Sequence, residues 1–180
     1  FIEAVERLAK QYGITIERGS YARTGANDAY YEANRLAARF FFDKLRGDAD
    51  KGYGYLKQRG MSPKTMNDFG IGWAPDEWSA MKDELLKKGL KEKTLEELGL
   101  LSVSNKDRTK TFDKFRSRVI FPIINTRDKV IGFGGRIVGD GEPKYLNSSE
   151  SEIFLKKNNL YGLNRTKSNI KNEGYVILVE

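Results

Sequence analysis

Cysteine and histidine are both absent from this chain. Their absence removes disulfides, thiolate nucleophiles, imidazole acid–base chemistry, Ser–His triads and every His or Cys metal site. Any metal held by these residues must therefore be held by oxygen, and Asp, Glu and water suit Mg²⁺ or Mn²⁺, the ions that accompany phosphoryl transfer. Long apolar runs are missing too. No stretch approaches the ~18 consecutive apolar residues of a membrane span, so no membrane partner is expected. Phe1-Ile2-Glu3 carries neither an initiator Met nor a signal pattern, so the chain reads as an excised piece. No segment is low in complexity and no long repeat recurs.

What is present is a globular composition with a lopsided charge. The 180 residues are 39% apolar, enough for a real core in one sizeable domain or two small ones. The formal net charge is +7, and residues 104–170 carry all of it, with 14 Lys/Arg against 7 Asp/Glu. A concentrated positive field suits a polyanionic partner, since counterion release supplies much of the affinity for a nucleic-acid backbone. A solvated basic surface is the plain alternative.

The chain is organised around residues 115–162. Val119-Ile120-Phe121-Pro122-Ile123-Ile124 is a short, β-branched run, and Val130-Ile131-Gly132-Phe133 follows the polar turn Thr126-Arg127-Asp128. The pair predicts an antiparallel hairpin. Upstream, apolar spacing predicts helices over residues 1–12, from a cap at Asn27 or Asp28 to Leu45, over 50–59, from Ser62-Pro63, over 78–88 and from Thr94 to Leu98. Residues 14–16 form a short apolar stretch, and Ile71-Gly72-Trp73-Ala74 reads as extended. The Phe40-Phe41-Phe42 run reads as core rather than as a base-stacking platform, its helical setting letting two of the three face inward. Residues 104–110 read as a surface loop, 163–172 as a helix, and 174–179 as a buried strand ending on Glu180.

Two phosphate motifs fail. Gly132-Phe133-Gly134-Gly135-Arg136 starts like a dinucleotide fingerprint, but Ile137 stands where the third Gly belongs and no helix pattern follows. A Walker-type loop is absent as well. What remains is a Gly-rich strand end presenting Arg136, whose planar fork can hold a phosphate. A β-bulge that needs glycine explains the same residues equally well.

The blocks FRSRVIFPI, VIGFGGRIV, EPKYLNSSES, IFLKKNNLYGLN and VILVE, in this order over about the last 65 residues, resemble the catalytic core of bacterial replicative primases, the DnaG-type enzymes. Tyr55 to Gly60 and the Ile71 to Pro75 turn extend the resemblance over essentially the whole chain. It implies a mixed α/β fold with helices flanking a twisted, mainly antiparallel sheet. Residues 1–103 would be the mainly helical part of the N-terminal subdomain, 104–172 a basic hairpin and Gly-rich nucleic-acid-binding part, and 173–180 the first strand of a Toprim subdomain.

The resemblance further implies a nucleotidyltransferase that makes RNA primers on single-stranded DNA from ribonucleoside triphosphates, with Mg²⁺ or Mn²⁺. Zinc would belong to a separate module. Arg59, Arg136, Lys144, Tyr145, Asn147 and Lys156 match positions that bind template, hybrid or nucleotide, and Glu180 matches the first Toprim carboxylate, both catalytic and metal-linked. Read without the resemblance, Glu180 is only an exposed terminal residue. Partners would be single-stranded DNA, the RNA–DNA hybrid, ribonucleotides and, through parts outside these residues, the replicative helicase and single-strand binding protein of a cytoplasmic replisome. Ser149 departs from the usual Pro of the YLNSP block, and Asp128-Lys129 replaces the usual Gly of the hairpin turn. A non-catalytic nucleic-acid-binding module and another Toprim enzyme, a topoisomerase or nuclease, are the competing readings.

Overall fold

The structure is a computed structural model that describes residues 11–12, 22–47 and 51–178. The helix expected over residues 1–12, apart from its last two residues, the stretch 14–16 and Glu180 lie outside the described residues.

Helix α1 (Ala22–Gly47) is the longest element. It begins ahead of the expected cap at Asn27 or Asp28, because extending a formed helix adds one hydrogen bond per residue fixed. Short helices α2 (Gly52–Gln58) and α3 (Pro63–Asp68) follow, the second capped as its sequence predicts by the Ser62 hydroxyl, which accepts from Thr65 N–H at 3.1 Å. Strand β1 (Gly72–Ala74) leads to α4 (Ala80–Lys87) and α5 (Glu92–Glu97), which starts two residues before the Thr94 expected to open it. A small hairpin, β2 (Leu101–Val103) with β3 (Thr111–Asp113), flanks the charged loop 104–110.

The predicted hairpin is the centre of the main sheet. Strands β4 (Arg118–Ile124) and β5 (Val130–Ile137) pair antiparallel, joined through Asn125–Lys129, where Asp128 adopts φ 59. An aspartate thus occupies a left-handed position that favours glycine, with the tolerance Asp shows for that region. Strand β6 (Tyr145–Asn147) pairs with β5, β1 pairs with β4, and the order is β1-β4-β5-β6. Gly134 and Gly135 sit in regular register with Phe121 and Ile120, and the irregularity falls at Ile123/Ile124. The glycines are not a bulge. Helix α6 (Leu163–Glu173) follows a 3₁₀ turn at Lys156–Asn158.

The two faces of this sheet have different fates. Ile120 and Phe133 point toward α1, where Phe41, 1% exposed, meets Phe133 edge-on at 5.6 Å and Phe115 at 6.4 Å. Gly72 lets α1 approach β1 directly, since a Cβ there would stand 2.5 Å from Phe41 Cβ. The other face carries Trp73 and Val119, covered by Leu56 of α2 and Met66 of α3. This cover stops short of the β5–β6 side.

The expected buried strand over 174–179 is not formed in its described part. Tyr175, Val176, Ile177 and Leu178 belong to no sheet and are 52–76% exposed. Apolar, β-branched residues make a strand only beside a partner that completes their hydrogen bonds, and no described strand lies alongside them.

A buried carboxylate ties the small hairpin to α4. Asp113, 3% exposed on β3, accepts from Met81 N–H at 2.7 Å and Lys82 N–H at 3.0 Å, closing the N-terminus of α4 from outside the helix. Burial pushes its carboxyl up to about 6 against these two donors. A carboxyl raised in the fold binds its proton more tightly there than in the unfolded chain, so its share of stability is full below pH ~4 and is lost as pH rises to about 6. Melting temperatures followed across that window should fall with rising pH, and the slope should flatten in Asp113→Asn.

Candidate nucleic-acid interface

The uncovered part of the sheet forms a groove of about 450 Å³. Strand alternation builds it. Phe121 and Ile123 of β4, Gly134 of β5, and Tyr145 and Asn147 of β6 share one face, because Phe121 pairs with Gly134 and Gly134 with Asn147. Gly134 leaves the floor low between an aromatic on one side and an amide on the other; a Cβ there would stand 3.2 Å from Asn147 Oδ1. At the far end, Phe154 packs over Gly132, and Tyr161 stacks on Phe69 with ring centroids 6.1 Å apart. The floor is apolar and aromatic, and its ends are cationic.

Arg136 follows Gly134 on the same face and is paired in register with Tyr145. Its guanidinium lies over the Tyr55 ring at 4.8 Å and donates to the carbonyl of Ile137. Arg59, at the end of α2, flanks the same ring at 5.6 Å and donates to the Tyr55 hydroxyl at 3.2 Å. Lys156 lines the other end, its backbone N–H donating to Glu150 at 3.1 Å. Beside it Lys114 donates to the Ser149 hydroxyl at 3.0 Å, and burial, then the Lys156 charge, pulls the Lys114 ammonium down. The serine that replaces the family's usual proline thus gives Lys114 an acceptor. Among the described residues, no carboxylate forms an ion pair with Arg59, Arg136, Lys114 or Lys156.

Of the residues expected from sequence, Tyr145, Asn147 and Lys156 line the groove, whereas Arg136 and Arg59 do not line it; Arg136 lies beside it, in register with Tyr145, and Arg59 reaches Arg136 across the Tyr55 ring. Lys144 is exposed just before β6 and does not line it; its carbonyl accepts from Ile137 N–H at 3.1 Å. Glu180 is outside the described residues, and among those described no three Asp or Glu side chains converge as metal ligands. The described side chains therefore do not make a cation site by themselves. Sequence reasoning missed Phe121 as floor and Tyr55 as the shared partner of two arginines. The first was legible from alternation along β4, the second only from its i,i+4 spacing to Arg59.

Comparison with known proteins agrees with this geometry. The sequence profile described as DNA primase catalytic core, N-terminal domain, matches residues 40–167. The chain belongs to the DnaG primase family. It is 44% identical to a DNA primase of Clostridium acetobutylicum over 185 aligned residues, an alignment covering 100% of this chain and 30% of that protein. Among solved structures, the Aquifex aeolicus primase, comprising zinc-binding and RNA polymerase domains, superposes with a TM-score of 0.78 at 36% identity, covering 99% of this chain and 43% of that one. A DnaG primase catalytic domain bound to single-stranded DNA gives 0.73 at 34% identity, covering 81% and 47%. The chain thus spans about a third of the length of its curated primase relatives, and its mixed α/β architecture is that of the primase catalytic core. Among the described residues no helix is long and apolar enough to cross a membrane.

Proposed function

We propose that this primase domain grips template and nucleotide for an enzyme that copies single-stranded DNA into short RNA primers. One observation carries the reading: a sheet face left half-uncovered, with an aromatic floor flanked by cations that form no ion pair among the described residues. Such a floor accepts the faces of splayed bases, each stack contributing ~1–3 kcal/mol, while cations at both ends follow the backbone. A duplex, whose bases are stacked on one another, offers this face only its phosphates and its unpaired overhang. The relative bound to single-stranded DNA supports this occupant, and the RNA–DNA hybrid and ribonucleoside triphosphates present the same phosphates.

In this reading Arg59, Arg136 and Lys156 neutralise phosphates, Tyr145 stacks a base and the Asn147 amide pairs with a base edge or sugar, while Lys144 extends the positive field from the β6 edge. Glu180 would hold Mg²⁺ or Mn²⁺, which supplies charge for the triphosphate when bound. Residues 1–103 and 104–172 act as one N-terminal subdomain, 173–180 open the Toprim subdomain, and zinc belongs to a separate module. The enzyme works in the cytoplasm at the replisome, meeting the helicase and single-strand binding protein through parts outside these residues.

The test is primer synthesis on single-stranded template with Mg²⁺ and labelled ribonucleotides. The complete primase should be active, its Glu180→Gln form inactive, and the 180 residues alone silent. Primers made by the 180 residues alone would move the chemistry into this half and refute the division of roles.

A further inference from the structure

The two arginines beside the groove repel each other, yet both point their guanidiniums at the same ring. Tyr55 is half-buried on α2 and packs against the cluster of Leu45, Leu56 and Trp73, so the core fixes its position. Its carbonyl accepts from Arg59 N–H at 3.2 Å, and its hydroxyl accepts from the Arg59 side chain at the same distance. The ring faces Arg136 across the gap between helix and sheet. With no carboxylate to draw either arginine aside among the described residues, the aromatic face is what gathers them.

We propose that Tyr55 is a positioning residue that holds Arg59 and Arg136 together as a two-pronged phosphate site beside the groove. The inference rests on the groove reading and deepens it. A ring attracts cations through its quadrupole without neutralising them, whereas a carboxylate in its place would hold the arginines equally well and cancel the charge that recruits the strand. The site stays cationic and ordered, so a phosphate meets guanidiniums already in place.

The experiment titrates a fluorescent oligodeoxythymidylate into the chain and its Tyr55 variants. Tyr55→Leu should bind about fivefold to thirtyfold more weakly, the loss of two exposed cation–π contacts, and Tyr55→Phe, which keeps the ring but loses the hydroxyl that accepts from Arg59, should fall between Tyr55→Leu and the unaltered chain. In the Arg59→Ala/Arg136→Ala background, Tyr55→Leu should have no further effect, since it acts through those residues. An equal further loss in that background, or full affinity in Tyr55→Leu while Arg136→Ala is weakened, overturns the positioning role alone. Unchanged binding by both arginine variants instead refutes the groove reading itself. If Tyr55→Leu does not fold, the Arg136 Nε–H resonance of the unaltered chain decides: it should be shifted upfield by the Tyr55 ring face, and an unshifted resonance overturns the proposal.

Discussion

Arg136→Ala is expected to weaken binding of single-stranded DNA about tenfold at low salt, near the lower end of what a charge-assisted hydrogen bond of ~1.5–3 kcal/mol contributes. Arg136 sits one alternation step from Gly134 on the groove face of the sheet, so its place beside the groove is fixed by the strand. It has no acidic partner among the described residues to satisfy it in the free protein. Truncation therefore removes a phosphate contact and leaves no carboxylate unpaired. The salt dependence should flatten in parallel, by about 0.7 in log–log slope for each phosphate no longer neutralised on a single strand. Lys93→Ala is the control. Lys93 is exposed on α5, on the α1 side of the sheet, and its loss should leave affinity within about twofold, as expected for a distant screened charge. Equal losses in both variants would mean that the chain binds DNA through diffuse charge.

Gly72→Ala is expected to destabilise the fold by about 3 kcal/mol, at the upper end of overpacking costs. The added methyl would stand 2.6 Å from the Phe41 carbonyl carbon and 2.8 Å from its oxygen, both backbone atoms of a long helix that cannot move locally. Relief requires α1 to lift from β1, which pulls Phe41 from Phe115 and Phe133 and opens the core on which the sheet lies. Thermal unfolding should show a fall of about 6–12 °C, the shift such a loss causes in a domain of this size. Gly47→Ala, where nothing lies within 4 Å, should leave the melt unchanged.

The parts of the fold that announce themselves in the sequence are those whose signal is local. The β4–β5 hairpin shows as two β-branched runs about a polar turn, α3 as Ser62-Pro63, and the core role of Phe40 and Phe41 as helical spacing. The β2–β3 hairpin is silent because each strand has three residues and the loop between them is all polar; Leu101 pairs with Asp113 only once both are laid on the helical core. Strand β6 is only three residues long, with the half-buried Leu146 between an exposed tyrosine and an exposed asparagine, and its identity as a strand comes from β5 beside it. The apolar residues 175–178 show the reverse case, strong strand propensity with no described neighbour to complete it. Arg136, Tyr145, Asn147 and Lys156 were legible from motif resemblance and Phe121 from alternation along β4, whereas the link of Tyr55 to Arg136 arises only from packing between segments about 80 residues apart.

The central proposal is that the uncovered sheet face, rather than another surface of the described residues, takes the single strand. Backbone amide shifts in a ¹H–¹⁵N titration with oligodeoxythymidylate test it most directly. The account predicts that the largest changes fall on Tyr55, Arg59, Gly134, Arg136, Tyr145, Asn147 and Lys156. Changes concentrated instead around Trp78, Phe112 and Arg116, where an exposed tryptophan packs edge-on against Phe112 and Arg116 lies 3.9 Å over the indole, would contradict it.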